Sequence, residues 1–366
     1  MFRTNFITTA TTLLFFCSAC GQETSKKIDF EKYDPISTLK VQEHVTSRAK
    51  FPFIDVHNHQ WNMQEADLSG LVTDMDKMNM KVMVNLSGGN GNGLKRMAEN
   101  VKEHYANRFI IFANLNFDGI GKEGWTDKAV QQLKEAVSNG ANGLKIFKDL
   151  GFSVKDNNGN RVTVDDTRLD AIWALCGQLK IPVLIHTADP KSFWDNVDEH
   201  NERWLEIVTH PGRKRDDDNP APWQTLIDEQ HRMFKKHPGT NFIAAHFGWY
   251  ANDLATLGKL LDEMPNVYTE FGAVIAELGR QPRAAKAFFE KYQDRILFGK
   301  DSWVPDEYAT YFRVLETADE YFPYRKKYHA FWRMYGMVLP DEILKKVYYK
   351  NALHLIPNID KNLFGN

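Results

Sequence analysis

Hydrophobic and polar positions follow a repeating pattern from residue 51 onward. Short runs rich in β-branched and aromatic residues are each followed by a longer stretch with the spacing of an amphipathic helix. The runs predict strands over residues 53–59, 82–87, 109–117, 143–147, 182–188, 241–248, 266–273 and 295–302. The intervening stretches predict helices that include residues 93–107, 126–139, 167–180, 223–237, 251–264 and 282–292.

Strands that alternate with helices predict βαβ units and a parallel sheet. Eight such units over about 250 residues are typical of an α/β fold of the (β/α)8 TIM-barrel type. An open doubly wound sheet is the alternative fold. That fold usually carries a glycine-rich phosphate turn after its first strand, and here the first strand ends in histidines instead.

Two segments exceed a minimal barrel. The connection after the fifth strand, residues 190–222, is long, and long connections in compact domains are typical of functional lids. Trp194, Trp204 and Trp223 lie in it or directly after it. We therefore predict that it covers the barrel mouth, and that residues 305–356 form a helical cap after strand eight.

The first residues, "MFRTNFITTATTLLFFCSAC", combine an early arginine, an apolar stretch and small residues before Cys20. This pattern is typical of a secretory signal, which we assign to residues 1–19. It resembles a bacterial lipoprotein signal, in which the cysteine after the small residues is lipidated. The departure is Cys17, where that pattern usually has leucine.

The resemblance implies a protein of the bacterial cell envelope, anchored to the membrane by lipid at Cys20; a free periplasmic protein is the alternative. Residues 20–50 are then a tether and N-terminal extension, 51–356 the barrel and 357–366 a tail. Once Cys17 leaves with the signal and Cys20 carries lipid, Cys176 remains alone, so no disulfide framework is expected.

Composition narrows the class of protein. The chain has 366 residues, 43% of them hydrophobic and 26% charged, which is ordinary for a globular protein. Its net charge of −2 argues against nucleic acid as a partner. A small-molecule substrate is the expected partner, with a homo-oligomer as a further possibility.

Five candidate site residues lie where predicted strands end. His57 and His59 end strand one, His186 ends strand five, His246 ends strand six and Asp301 ends strand eight. Active sites of barrels lie at the carboxyl ends of the strands, so these side chains are expected to meet at one mouth.

Alternation along strand one predicts that Asp55, His57 and His59 face the lumen while Ile54 and Val56 pack against the helices. Two imidazoles on one face can bind a single cation. Together with a carboxylate they suit zinc, manganese or iron(II).

The motifs "DVHNH", "GLKIFK", "VLIHTADP", "FIAAHFGW" and "ILFGKDSW" resemble the amidohydrolase superfamily, in the amidohydrolase 2 branch. The resemblance covers roughly residues 50–356. That branch includes small-molecule hydrolases, lactonases and decarboxylases. Lys300 departs from the threonine of many relatives, and alternation predicts that it points away from the metal.

The resemblance implies roles for individual positions. His57, His59, His186 and Asp301 would hold one divalent metal ion, with zinc as the first expectation and manganese or iron(II) as alternatives. His246 would act as acid, base or electrophile beside the metal, and Asp301 would also take a proton from the metal-activated water.

Four further residues are predicted to bind substrate: Lys145, Glu270, Arg280 and Trp194. Lys145 has three interpretations. In the first, Lys145 is carbamylated and bridges two metals. In the second, it binds a carboxylate of the substrate. In the third, it pairs structurally with an acid in the lumen.

The first functional hypothesis is a metal-dependent hydrolase of an ester, lactone or amide bond in a small molecule. The alternative is a metal-dependent decarboxylase or hydratase, which would need cationic residues for a carboxylate substrate. A lipid-anchored binding protein without catalysis is a third hypothesis, and the complete predicted ligand set argues against it.

Overall fold

The computed structural model describes residues 27–29, 32–44, 46–326 and 332–365. The chain divides into two compact units, Met1–Ser37 and Thr38–Asn366. The predicted signal and Cys20 lie outside the described residues. In the first unit Lys32 pairs with Asp29 at 2.9 Å. None of the described helices is long and apolar enough to cross a membrane.

In the described part of the second unit, eight parallel strands pair in the order of the sequence. They are β1 (Phe53–Asn58), β2 (Met80–Asn85), β3 (Phe109–Asn114), β4 (Gly143–Ile146), β5 (Val183–Ile185), β6 (Phe242–Ala244), β7 (Val267–Glu270) and β8 (Ile296–Leu297). Val56 N donates to Phe298 O at 2.9 Å and Asp301 N donates to His57 O at 2.7 Å, which nearly closes the ring. The predicted (β/α)8 barrel is confirmed, and the open sheet is excluded.

Helices connect the strands, most of them on the outside of the barrel and a few short ones at its mouth. They are α1 (Ser69–Met78), α2 (Gly91–His104), α3 (Trp125–Ser138), α4 (Asp149–Phe152), α5 (Asp170–Leu179), α6 (Trp204–Thr209), α7 (Trp223–Lys236), α8 (Leu254–Glu263), α9 (Ile275–Arg280) and α10 (Pro282–Lys291). Helix α7 buries Trp223, Leu226, Ile227, Met233 and Phe234. This spacing is the apolar stripe of a helix packed on a sheet.

The barrel interior is an apolar cluster with contributions from most of the strands. It contains Ile54, Val56, Val82, Val84, Leu86, Ile110, Phe112, Leu184, Ile243, Ala245 and Leu297. Residues near the C-terminus join the same cluster, namely Ala352, Leu355, Ile356, Ile359 and Phe364. The end of the chain therefore closes the barrel at the end away from the mouth, and residues of the predicted tail take part.

The predicted alternation along strand one is wrong. Ile54 and Val56 lie in the barrel interior, whereas Asp55 accepts a hydrogen bond of 2.6 Å from Tyr308 on the helix side. Pairing with β2 shifts register between Asp55 and Asn58, so the period of two does not continue to the histidines. His57 reaches the mouth because the end of β1 is irregular, and not because its side chains alternate regularly.

The cap after β8 is only partly helical. It contains α11 (Tyr308–Glu316), an antiparallel pair of short strands, β9 (Phe322–Pro323) and β10 (Arg333–Met334), and then α12 (Asp341–Lys345) and α13 (Asn351–Leu355), joined by a π-helical turn over Lys346–Lys350. The predicted helical cap is present, and the short strand pair within it was not predicted. Aromatic residues around the strand pair, such as Tyr324 and Trp332, favour extended backbone.

Candidate metal and catalytic site at the barrel mouth

The candidate site forms where four strand ends, those of β1, β5, β6 and β8, meet. His57 Nε2 lies 3.3 Å from Asp301 Oδ1, and His59 Nε2 lies 3.7 Å from the same oxygen. On the other side, His186 Nδ1 lies 3.4 Å from His246 Nε2. The ring centroids of His57 and His246 are 5.0 Å apart, so the two pairs belong to one cluster.

Glu270 fixes the orientation of His57. Its Oε1 lies 2.8 Å from His57 Nδ1. Because a carboxylate accepts, Nδ1 carries the proton and His57 presents the lone pair of Nε2. That Nε2 is buried and has no hydrogen-bond partner among the described residues. Glu270 also accepts from the backbone N–H groups of His246 at 2.8 Å and Gly272 at 2.5 Å.

Backbone carbonyls set the tautomers of the other pair. His246 Nδ1 donates to Gly272 O at 2.7 Å, and His186 Nε2 donates to Ala188 O at 3.1 Å. In the neutral rings, the nitrogens that face each other at 3.4 Å then both carry lone pairs. Two facing lone pairs repel unless a proton or a cation lies near both.

Burial keeps the imidazoles of His57, His59 and His186 neutral, which is the form that binds metals. Burial lowers the pKa of His57 and His186 well below the ordinary value, and lowers the pKa of His59 to about 4. Burial would raise the pKa of the Asp301 carboxyl, but the imidazoles of His57 and His59, when protonated, and the ammonium group of Lys145 hold that pKa below its ordinary value. Asp301 is therefore ionised at neutral pH.

The backbone around His246 is strained. His246, Phe247, Gly248 and Trp249 all adopt left-handed conformations, with φ between 55° and 61°. Asp301 also has a positive φ, of 83°. Non-glycine residues in this region cost about 1–3 kcal/mol each and cluster at functional sites. The turn places the ring of Trp249 4.6 Å from that of His246.

Among the residues that the structure describes, two groups of side chains have ligand atoms close enough to hold a metal, with all atoms of a group within 4.8 Å of one another. One is His57, His59 and Asp301; the other is His57, His246 and Glu270. Glu270 already accepts three hydrogen bonds, whereas His57 Nε2 is buried and unpartnered. The imidazole and carboxylate atoms of the first group fit zinc, manganese or iron(II). His186, the fourth predicted ligand, joins neither group and lies beside His246.

Lys145 lies in β4 and is buried. Its Nζ has no hydrogen-bond partner among the described residues and lies 5.4 Å from the centroid of the Phe147 ring. Burial lowers its pKa to about 8, although Asp301 and Glu270 oppose that shift. The interpretation as a lysine paired with a lumen acid is therefore not supported.

A cavity of about 220 Å³ opens at the mouth beside His186, His246 and Asp301. Its charged lining is rich in basic groups: Lys148, Asp189, Arg203, Glu206, Arg213, Arg215 and Lys326. Several of these residues belong to the connection after β5, so the predicted cover over the mouth is confirmed. A larger groove of about 720 Å³ beside α2 and α3 contains none of the predicted site residues.

None of the four residues predicted to bind substrate lines this cavity. Lys145 is buried within β4. Glu270 is buried behind His57. Arg280 donates to Glu202 at 2.9 Å and lies 3.7 Å from the centroid of the Trp332 ring. Trp194 lines a neighbouring groove instead.

Sequence reasoning missed several residues of the mouth. Lys148 ends the "GLKIFK" motif and Trp249 ends "FIAAHFGW", so position in a motif was an available signal for both. Ser87, whose Oγ lies 2.8 Å from His59 Nδ1, carried no such signal. Lys300 was correctly predicted to point away, since its Nζ donates to Ser302 O at 2.7 Å.

The fold and the site define a (β/α)8 barrel with a histidine and carboxylate cluster of metal-binding type at its mouth. The family model described as Amidohydrolase, of the amidohydrolase 2 branch, matches residues 54–357. The chain belongs to this family, whose members are metal-dependent enzymes. No curated protein matches the chain.

Solved structures share the barrel at low sequence identity. The 2,6-dihydroxybenzoate decarboxylase from Rhizobium is 14% identical over 83% of this chain and 98% of its own, with a TM-score of 0.52. The 4-oxalomesaconate hydratase from Rhodopseudomonas palustris is 12% identical over 85% and 97%, with a TM-score of 0.49. A probable 2-pyrone-4,6-dicarboxylic acid hydrolase from Acinetobacter baumannii is 10% identical over 83% and 99%, with a TM-score of 0.44. The relatives are named for three different reactions, and the likeness shows the fold alone.

Proposed function

We propose that this protein is a metal-dependent hydrolase of an ester, lactone or amide bond in a small molecule. One observation carries the proposal: the buried, unpartnered His57 Nε2 lies 3.3 Å from Asp301 Oδ1, with His59 Nε2 3.7 Å from that oxygen. We assign His57, His59 and Asp301 as residues that hold one divalent cation, with zinc as the first expectation. His186, the fourth predicted ligand, lies beside His246 and would complete the set with its Nδ1.

The cation, when bound, supplies Lewis-acid chemistry that activates water and polarises a substrate oxygen. Asp301 is partly exposed and ionised, so its carboxylate can take a proton from the attacking water. The Asp301 carboxyl can then deliver this proton to the leaving group. His246 lines the same cavity and presents the lone pair of Nε2, so it can accept a proton or a hydrogen bond at the reacting centre. Glu270 holds His57 in the required tautomer.

A decarboxylase or hydratase is the second candidate, and the charge of the mouth favours it. Among the described residues, basic side chains outnumber acidic ones in the cavity lining. Lys148 and Arg215 reach the mouth while both pair with Asp189, at 2.7 Å and 3.0 Å. Such a lining suits a substrate that carries a carboxylate.

Isotope labelling separates the two reactions. The metal-loaded protein is incubated in ¹⁸O-labelled water with lactones, esters, amides and carboxylated aromatics, and products are analysed by mass spectrometry. Hydrolysis places one labelled oxygen in the product, and Asp301→Asn should abolish it. Release of CO₂ without label in the organic product would establish a decarboxylase instead, and addition of labelled water to a carbon–carbon double bond would establish a hydratase. If Asp301→Asn hydrolysed the substrate as fast as the wild type, this would contradict the assignment of Asp301 both as a metal ligand and as the group that takes the proton from water.

We further propose that lipid at Cys20 anchors the protein in the bacterial cell envelope. The support is the signal-like sequence that ends at Cys20. Wild-type protein should fractionate with membranes, and Cys20→Ala should move it to the soluble fraction. A Cys20→Ala protein that stays with membranes would contradict the anchor.

A further inference from the structure

A groove of about 630 Å³ adjoins the mouth cavity. Its walls come from the connection after β5, the loop after the left-handed turn at residues 246–249, and α9. Pro190, Arg203 and Trp249 line both spaces. A ligand whose reactive group lies at His246 can therefore continue past Trp249 into the groove.

Trp249 forms the wall between the two spaces. Its ring lies 4.6 Å from that of His246 and 5.7 Å from that of His186. Its Nε1 is buried and has no hydrogen-bond partner among the described residues. The strained turn at residues 246–249 positions both His246 and Trp249. The wall of the groove is therefore fixed relative to the candidate catalytic residue.

The connection that forms the groove is held in place by hydrogen bonds before any ligand binds. Trp194 Nε1 donates to Ala221 O at 2.9 Å. Asn201 Nδ2 donates to Ser192 O and Asn196 O, each at 2.9 Å. A pre-formed groove loses little entropy when a ligand binds, which is the expected property of a built subsite.

Most charges of the groove are paired within the protein. Lys191 donates to Asp195 at 2.7 Å, and Arg280 donates to Glu202 at 2.9 Å. Buried Arg203 forms an ion pair with Glu277. Among the described residues, the lining has four acidic and two basic side chains, so the groove does not attract an anionic ligand, in contrast with the basic mouth.

The remaining lining combines indole rings with neutral polar groups. Trp194 and Trp249 supply the rings, and the exposed residues Asn196 and Asn252 supply amides. Indoles pack against the C–H faces of a ring, while amides both donate to and accept from hydroxyl groups. This chemistry matches a neutral, hydroxyl-rich group such as a sugar ring.

We propose that the groove is a distal subsite for a neutral, sugar-like portion of an extended substrate. The proposal rests on the proposed function only in placing the reactive end at His186, His246 and Asp301. The groove, at about 630 Å³, has the volume of an ordinary ligand site, and together with the mouth cavity it holds more than a single ring.

Binding measurements test the subsite without any turnover. Saturation-transfer NMR and calorimetry are performed with maltose, cellobiose, lactose and xylobiose on the metal-loaded full chain. At least one disaccharide should bind, and Trp194→Ala and Asn252→Ala should each raise its Kd about tenfold, the loss of roughly one good contact. Asn139→Ala, in the groove beside α2 and α3, is the matched control and should leave the Kd unchanged.

Asn252 is exposed, so Asn252→Ala should not affect folding. It therefore tests the groove independently if Trp194→Ala fails to fold. Asp301→Asn should keep disaccharide binding while it loses turnover. Wild-type protein that binds none of the four sugars below about 10 mM, or two groove variants with unchanged Kd, would overturn the subsite. Groove-dependent binding without any hydrolytic activity would instead overturn the proposed function and leave the subsite standing.

Discussion

Glu270 shows how one buried carboxylate organises the candidate site. It accepts from His57 Nδ1 and from the backbone N–H of His246 and of Gly272. One side chain thus sets the tautomer of a predicted ligand and fixes the turn that carries the predicted acid–base residue. The sequence placed Glu270 at the end of strand seven but did not reveal this role, because its partners come from distant strands.

We predict that Glu270→Gln weakens metal binding by about 10- to 100-fold, the usual effect of losing a partner that orients a ligand. A glutamine can accept from Nδ1 only with its single carbonyl oxygen, and it cannot satisfy all three donors. Metal affinity is measured by competition with a chromophoric chelator. Glu290→Gln, at an exposed position of α10, is the control. An unchanged affinity in Glu270→Gln would show that Glu270 does not orient His57.

At the scale of elements, the strained turn at residues 246–249 is the feature most directly tied to function. Gly248 has a φ of 56°, and a Cβ there would meet Ala244 Cβ at an ordinary 3.7 Å. Substitution therefore changes backbone strain without a steric clash. Gly159 offers a matched position, with a φ of 82° and nothing within 4 Å of its Cβ.

We predict that Gly248→Ala and Gly159→Ala each lower the free energy of unfolding by about 1 kcal/mol, the cost of a Cβ in the left-handed region. Only Gly248→Ala should also lower kcat/KM, because the turn positions His246. Urea denaturation and steady-state kinetics measure the two effects. Equal kinetics in the two variants would contradict the role of the turn.

Helix α7 carries a buried histidine that should couple stability to pH. Burial lowers the pKa of His231, and its Nε2 is buried without a partner among the described residues. The unfolded chain, with the ordinary value near 6.5, then binds a proton that the folded state resists. The contribution of His231 to the free energy of unfolding is therefore fully present above pH 6.5, and it is lost as the pH falls below 6.5.

We predict that His231→Phe makes the loss of unfolding free energy between pH 7 and pH 5 shallower, by up to about 1.4 kcal/mol per pH unit, the limit for one proton. Chemical denaturation at several pH values measures the slope. His200→Phe, at an exposed position, should leave the slope unchanged. Identical slopes in wild type and His231→Phe would show that His231 is not held neutral.

The elements themselves were largely predictable, and their local irregularities were not. All eight strands and the six named helices could be read from period and composition, because each buries an apolar face. The change of face along β1 before His57 could not be predicted, because it depends on a register shift in the pairing of β1 with β2. The short strands β9 and β10 could not either, since two-residue strands carry almost no periodic signal.

At the scale of the whole molecule, residues near the C-terminus pack into the interior of the barrel. Phe364 lies in the interior cluster with Ile54 and Val56, and its ring stacks on Tyr349 at 5.1 Å. The candidate site was predictable at this scale because a barrel brings strand ends to one mouth whatever their spacing in sequence. The basic lining of that mouth was not, since it depends on how the connection after β5 folds back.

We predict that Phe364→Ala lowers the free energy of unfolding by about 3 kcal/mol, as for other buried aromatic residues. The metal content should stay unchanged, because the cluster closes the barrel at the end away from the mouth. Denaturation and metal analysis on the same samples check both statements. Asn362→Ala is the control, and an unchanged stability of Phe364→Ala would show that the end of the chain is not part of the barrel core.

The central claim is that His57, His59, His186 and Asp301 hold a catalytic metal. Mass-spectrometric metal analysis of the purified protein, before and after reconstitution with zinc, manganese and iron(II), tests it most directly. We predict about one divalent ion per wild-type chain, and none in His57→Ala or Asp301→Ala, with activity lost in step. A wild-type chain that retains no metal after reconstitution, with activity unaffected by chelators or by His57→Ala, would contradict the account.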